Sequence, residues 1–230
     1  LITKISNIAT QKEIEEYLDK PYSHGHLYRP RVWINGKEEV LVSVVNSEAP
    51  TKIDFAIWGI LPQDFHGEWS FFQNIEDTLN TDVDAITENH WLYKTMGKRR
   101  CYIIVSGYFS FMVKKDQLVP IFSKNASENI FFLAGVYNKT EDGFFTCTLL
   151  VKKTSYFHTK NSFTPLLPIA LSHKECEEWL HNCNSPINCL EFLKNVRPIH
   201  MEQHFISNII LGKQKKTKQM LKPVEYTALK

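Results

Sequence analysis

Three polar residues stand in apolar or turn-like settings where a side chain could take part in chemistry: Asn80 in LNTDVD, Ser110 in GYFSFM and His158 in SYFHTK. A histidine in a polar turn just after a strand changes charge near neutral pH, so it can give or take a proton. An asparagine amide can orient a substrate, although an Asn beside Thr and Asp also makes turns. Ser110 is a poor nucleophile as it stands: no histidine lies near it in sequence, and Ser106-Gly107 does not form a GxSxG elbow. Its other reading is a strand residue paired with a neighbouring hydroxyl or backbone group. No Walker loop, dinucleotide fingerprint or HExxH segment occurs. Lys98, Arg99 and Arg100 form a basic cluster that either touches a nucleic-acid backbone or solvates the start of a strand. Trp58, beside the Gly59-to-Pro62 turn, reads as an aromatic for DNA contact or as turn packing. No cofactor is implied, and His90, His173 and His200 lack metal-ligand spacing.

The elements that must position these residues are mostly strands. Apolar runs at 40–45, 53–58, 101–105, 108–113, 118–122, 130–137 and 144–152 carry β-branched and aromatic residues. Asn35-Gly36 predicts a hairpin turn, and residues 139–143 (KTEDG) predict another. Thr10 with Glu13 is a capping box ahead of an apolar face at Ile14, Tyr17 and Leu18, and Pro21 bounds that helix. Ser172 with Glu175 opens a second helix, and residues 187–193 add a short third. Residues 69–91 are polar and poorly periodic, which predicts irregular structure with short helical pieces. The expected class is α+β and mainly β: one compact domain with a barrel-like antiparallel or mixed sheet and peripheral helices.

Composition sets the outer bounds. The chain has 230 residues, 43% of them hydrophobic, with 15 Phe, 9 Tyr and 5 Trp, which suits a packed core rich in strands. Net charge is only +2, yet the segment from His204 onward carries six lysines against Glu225, so it is near +5 and the remainder near −3. Residues 209–230 therefore read as a basic tail, helical or only partly ordered, that either attracts nucleic acid or is simply solvated. Five cysteines (101, 147, 176, 183 and 189) include no CxxC pair and suit a reducing cytoplasm. No apolar run reaches the roughly 20 residues of a membrane helix and no signal peptide is visible, so the expected location is cytoplasmic and the expected state a monomer.

Taken in order, several segments resemble one family. AIWGILP at 56–62 is similar to its WGLIP segment, LNTDVDA at 79–85 to NARxET, and RRCYIIVSGYFSF at 99–111 to RRCLIPxxGFYEW. FLAGVY at 132–137 resembles FAGLW, and FTCTLLVKKTS at 145–155 resembles TFxILTTEAN. HTKNSFTPLLPIAL with the following EEWL resembles H-x-RMPVIL…WL, and VRPI at 196–199 resembles a YPVS segment. This is the SRAP family, the SOS-response-associated peptidases, and the resemblance spans about residues 1–208.

The resemblance implies a one-domain, mainly-β fold that binds single-stranded DNA at abasic sites. It implies an exposed N-terminal cysteine whose amine and thiol close a thiazolidine on the sugar aldehyde. Around that centre stand an asparagine, a glutamate and a histidine, with arginines holding phosphates. Asn80 matches the asparagine, and His158 matches the histidine, although a shorter-loop alignment brings Thr164 there instead. Ser110 replaces the glutamate, Thr81-Asp82 replaces the arginine of NAR, and Phe163-Thr164 replaces RM. No cysteine precedes Cys101, and Ile2 falls near the cysteine's place. These departures imply a degenerate member that has lost the crosslinking and peptidase chemistry and keeps, at most, weak binding to single-stranded or abasic-site DNA. The alternatives are an active crosslinker whose cysteine precedes Leu1, or a cleft that now binds a peptide or partner protein. Exposed aromatics at Phe109, Phe111 and Phe163 would favour the last.

Overall fold

A computed structural model of the protein describes residues 1–114, 116–153 and 166–225. Two β assemblies share its interior. In the first, β4 (Asp54–Trp58) pairs with β3 (Leu41–Asn46), which pairs with β6 (Arg100–Val105). β6 pairs in turn with β9 (Phe131–Lys139), and β9 with β10 (Phe145–Lys153), all antiparallel. The ring closes where Thr146 and Cys147 of β10 run parallel to Ile57 and Trp58 of β4. A closed five-stranded mixed barrel results, without free edges between these strands. Three short strands extend it: β5 (Asn80–Asp82) and β11 (Leu166–Pro168) on β10, and β12 (Ala170–Leu171) on β9.

The second assembly is an open antiparallel sheet. It contains β1 (Lys4–Asn7), β2 (Arg31–Asn35), β7 (Gly107–Lys114), β8 (Gln117–Asn125) and β13 (Met201–Phe205), in the order β13-β8-β7-β1-β2. Ile5, Ile34 and Tyr108 turn its inner face toward Cys101, Ile103 and Val105 of the barrel. The opposite faces of β6 and β9, with Tyr102, Ile104, Phe132 and Ala134, bury against helices. Every residue of β6 is buried, which explains why RCYIIV reads as a continuous apolar run without alternation.

The helices are α1 (Gln11–Leu18), α2 (Trp69–Ile75), α3 (Trp91–Met96), α4 (His173–His181) and α5 (Pro186–Asn195). Both expected capping boxes form, Thr10 with Glu13 on α1 and Ser172 with Glu175 on α4. The β9–β10 hairpin turns at residues 140–144, where Gly143 adopts φ 86°. The Asn35-Gly36 turn is also present, with the Glu38 amide donating to the Asn35 carbonyl at 3.1 Å. It does not make a hairpin. β2 stays in the open sheet beside β1, and β3 leaves for the barrel. The Gly36 amide is spent on the Thr3 carbonyl instead, at 2.9 Å. Residues past 208 form two 3-10 turns whose Ile210 and Leu221 seal Phe109 and Phe122 on the outer face of the sheet. No helix is long and apolar enough to cross a membrane.

Candidate functional site

Asn80 opens β5, opposite Leu149 of β10. The residues before it are fixed from several sides. Trp58 Nε1 donates to the Leu79 carbonyl at 2.9 Å, the same carbonyl accepts the Leu149 amide at 3.0 Å, and the Thr78 hydroxyl donates to the Ile60 carbonyl at 2.7 Å. So held, the Asn80 carboxamide brackets one residue of the N-terminal segment. Its Nδ2 donates to the Ile2 carbonyl at 2.8 Å, and its Oδ1 accepts the Ile2 amide at 3.3 Å. Both backbone groups of Ile2 are thereby satisfied where no strand pairs with it. The Ile2 side chain is fully buried. An asparagine supplies the needed donor and acceptor on one planar group, which neither aspartate nor leucine can do.

Ser110 lies in β7 of the other assembly. β7 pairs with β1 through Ile5↔Tyr108 and Ser6↔Gly107, and continuing that register brings Ser110 level with Thr3, next to Ile2. Across β8 it faces Ile121. Ser110 is 1% exposed, and its Oγ has no hydrogen-bond partner among the described residues. An unpartnered buried hydroxyl costs about 1–3 kcal/mol of desolvation. Ser110→Ala is therefore expected to leave the stability unchanged or raise it by up to about 1 kcal/mol, read from the urea midpoint; a loss of stability would mean that the hydroxyl has a partner in solution. The Phe109 and Phe111 side chains pack on the outer face with Trp33, so they do not line this inner region. His158, Phe163 and Thr164 lie outside the described residues. The segment that carries them is bounded by Lys153 and Leu166, which pair with each other four positions along β10 from Leu149.

The expected DNA contacts need revision. Arg100 is 5% exposed, and its guanidinium donates to the carbonyls of Trp179 at 2.7 Å, Leu180 at 2.9 Å, Gly97 at 2.8 Å and Met96 at 3.3 Å. It ties the end of α3 to the end of α4; four of its five N–H groups are spent on these carbonyls and the head is buried, away from any phosphate in solvent. Trp58 is fully buried inside the barrel wall, so its ring cannot stack on a base. Lys98 is exposed and Arg99 half-buried, with Arg99 NH1 on the Asn138 Oδ1 at 2.9 Å. Three strand spacings separate them from Asn80 around the barrel (β6, β9, β10, β5), roughly 14 Å at ~4.8 Å per strand. Asn80 and Ile2 are brought together, and the β1–β7 register carries Ser110 toward the same N-terminal segment; the basic cluster is not brought there.

A different basic-aromatic group escaped the sequence reading. On the outer face of the open sheet, Trp33 of β2 carries Lys4 Nζ at 5.8 Å and Lys216 Nζ at 6.0 Å from its ring centroid, with the Phe109 ring at 4.8 Å. Burial holds the Lys4 ammonium below its ordinary pKa, the charge of Lys37 adds to that, and Glu38 opposes it. A partly dehydrated cation gains from an arriving anion. The tail lysines 213, 215, 218 and 222 are exposed. The alternation of β1 and β2 could have placed Lys4 and Trp33 on one face; only the docked tail brings Lys216. A cavity of about 260 Å³ opens at the other end of β1, beside Asn7, Arg29 and Arg31, away from Asn80. Among the described residues no group of three His, Cys, Asp or Glu side chains could hold a metal ion.

Comparison with known proteins places this arrangement in context. The family model for SOS response associated peptidase (SRAP) proteins matches residues 3–211. Among curated proteins of Bacillus subtilis (strain 168), abasic site processing protein YobE is 23% identical over 198 residues, covering 84% of this chain and 85% of its own. Abasic site processing protein YoqW is 21% identical over 217 residues, 91% of each chain. A crystal structure of a Bacteroides thetaiotaomicron protein has a TM-score of 0.82 at 19% identity, covering 97% of this chain and all of that one. One from Bordetella bronchiseptica has a TM-score of 0.67 at 12% identity, with coverages of 89% and 99%. At such identities the structural likeness is one of fold.

Proposed function

This chain belongs to the SOS response associated peptidase (SRAP) family, and from that premise we propose that it binds single-stranded and abasic-site DNA without the carboxylate-assisted covalent step. One observation carries the reading. At the position matched to the glutamate of the family motif stands Ser110, buried and without a hydrogen-bond partner among the described residues. A serine hydroxyl stays protonated near neutral pH and cannot shuttle the protons that imine formation and ring closure need. The NAR arginine is also replaced, and Asp82 Oδ1 is occupied by the Asp84 amide at 3.1 Å. A carboxylate there repels phosphate. Affinity would come from Lys4, the tail lysines and Trp33, which supply phosphate contacts and a stacking face without reading sequence.

The test uses the full native polypeptide with intact and abasic single-stranded oligonucleotides at two salt concentrations, followed by a denaturing gel. Binding is expected to weaken with salt, Trp33→Ala to cost about 1–3 kcal/mol of binding if a base stacks there, and the gel to show no heat-stable adduct. Salt-insensitive or absent binding would end the DNA reading. A heat-stable adduct would end the loss of chemistry. The second reading, a working crosslinker whose cysteine precedes Leu1, draws on the Asn80 grip on Ile2, which would hold a terminal segment in place. The same gel decides between the two.

A further inference from the structure

The cavity at the far end of β1 plays no part in the DNA reading. About 260 Å³ in volume, it lies among the end of β1, the loop that enters β2 and the first residues of β3. That loop, residues 23–31 (SHGHLYRPR), carries two arginines and two histidines and no acidic residue. Arg29 and Arg31 line the cavity and are exposed, so they form its mouth; Glu39 is the one acidic residue of the lining. Arg29 Nη1 donates to the carbonyls of His26 at 2.8 Å and Tyr28 at 2.6 Å, which steadies the side chain and leaves Nε and Nη2 for a ligand. Ile34, Val40 and Phe55 make apolar walls. Two buried lining residues are polar. Ser43 is 4% exposed, and its Oγ accepts the Tyr22 hydroxyl at 2.8 Å, so its own proton is left over. Asn7 is 3% exposed, and its Nδ2 donates to the Ile104 carbonyl at 3.1 Å. That bond fixes which way the carboxamide faces. It leaves Oδ1 closed off from solvent and without a hydrogen-bond partner among the described residues, a desolvation cost that a ligand's donor would offset.

We propose that this cavity binds a phosphorylated ring compound of the pyrimidine nucleotide type, with the ring inside and the phosphate at the mouth. Apolar walls with a few placed polar groups are the usual make-up of a small-molecule site. The volume is just under the roughly 300–1,000 Å³ of drug-sized sites, which suits a single ring with its phosphate left outside. Two guanidinium forks can share one phosphate monoester, whose three terminal oxygens exceed the two of a carboxylate. Inside, a pyrimidine edge sets an N–H beside a C=O, the complement of the Asn7 Oδ1 and the Ser43 proton. The cavity is separate from the Trp33 face. Ile34 turns to the inner side of β2 and Trp33 to the outer, as successive strand residues do. This inference therefore stands apart from the DNA contacts proposed above.

The experiment titrates thymidine 5′-monophosphate into the folded full-length protein, with amide shifts followed by NMR and affinity by calorimetry. Shifts are expected at Asn7, Arg31, Val42 and Ser43, with the Trp33 indole unmoved. The double variant Arg29→Gln/Arg31→Gln changes only exposed side chains and should fold as the wild type does. It is expected to weaken binding about tenfold to a hundredfold, as the loss of charge-assisted hydrogen bonds does. Thymidine, which lacks the phosphate, should bind more weakly by a similar factor, and inorganic phosphate alone should leave Ser43 unmoved. A free nucleotide and the 5′ end of a DNA strand share this chemistry. A 5′-phosphorylated oligothymidylate that outbinds its 5′-hydroxyl form, and loses that advantage in the double variant, would assign the cavity to a strand end; binding of the mononucleotide alone would assign it to free nucleotides. The proposal is overturned if neither phosphorylated probe shifts Ser43, if inorganic phosphate reproduces that shift, if the double variant binds with unchanged affinity, or if the shifts are confined to Lys4 and Trp33.

Discussion

Replacing Arg100 with methionine is expected to destabilise the protein by about 3–5 kcal/mol, the cost of removing one partner from a buried, hydrogen-bonded charged group. Four carbonyls would lose the guanidinium at once: those of Met96 and Gly97 at the end of α3, and those of Trp179 and Leu180 in α4, with Met96 keeping only the Cys189 thiol at 3.5 Å. Its stacking on the Trp179 ring, at 6.0 Å, goes with them. For a chain of this length the melting temperature should fall by roughly 10 °C, with a matching drop in the urea midpoint. Arg100→Lys should recover only part of the loss, since one ammonium cannot fan its donors across two helix ends. A residue that contacts phosphates would behave in the opposite way, with stability unchanged and the salt slope of DNA binding reduced. That pattern in Arg100→Met would refute the role assigned to it.

Trp58 is expected to matter as much. Trp58→Ala should cost about 3–5 kcal/mol, as large-to-small changes of a fully buried aromatic do. The ring is enclosed on several sides, and a β-carbon added at Gly36 would come within 2.7 Å of it. Trp58→Phe separates packing from hydrogen bonding. It keeps most of the volume and removes only the Nε1 bond to the Leu79 carbonyl, worth about 1 kcal/mol. That carbonyl precedes Asn80, so the milder variant should loosen β5 and the grip on Ile2. Faster amide exchange at Ile2 and Leu149 in Trp58→Phe, with little change elsewhere, is the expected signature. Unchanged exchange at both amides would mean that Trp58 serves packing alone and has no part in setting the site.

How much of this was legible beforehand differs from element to element. The capping boxes at Thr10–Glu13 and Ser172–Glu175, the strand runs, and the turn at 139–143 were readable because their hydrogen bonds close within a few residues. The Asn35-Gly36 turn shows the limit. The dipeptide specifies a reversal of the chain, and it does so here, yet which sheet the next strand joins depends on partners far away. Arg100 shows it again: a triplet of basic residues looks alike whether its guanidinium meets solvent or four carbonyls. Trp58 beside a glycine turn was equally ambiguous, because burial depends on what closes over it.

The order of segments was enough to point to the SRAP fold, since a resemblance spread along the chain needs no geometry. It also led to the expectation that Ser110 stands where the family motif has a glutamate. The sequence by itself therefore determined the local elements, the fold family and the residue types available for chemistry. The meeting of Asn80 with Ile2 spans 78 positions and links the β5 strand to the N-terminal segment. Lys216 reaches Trp33 only because Ile210 and Leu221 anchor the tail over the open sheet. Those contacts were decided by tertiary structure alone. Hydrophobic burial fixes which faces meet, and non-local polar contacts form only where that packing has already brought their partners within reach.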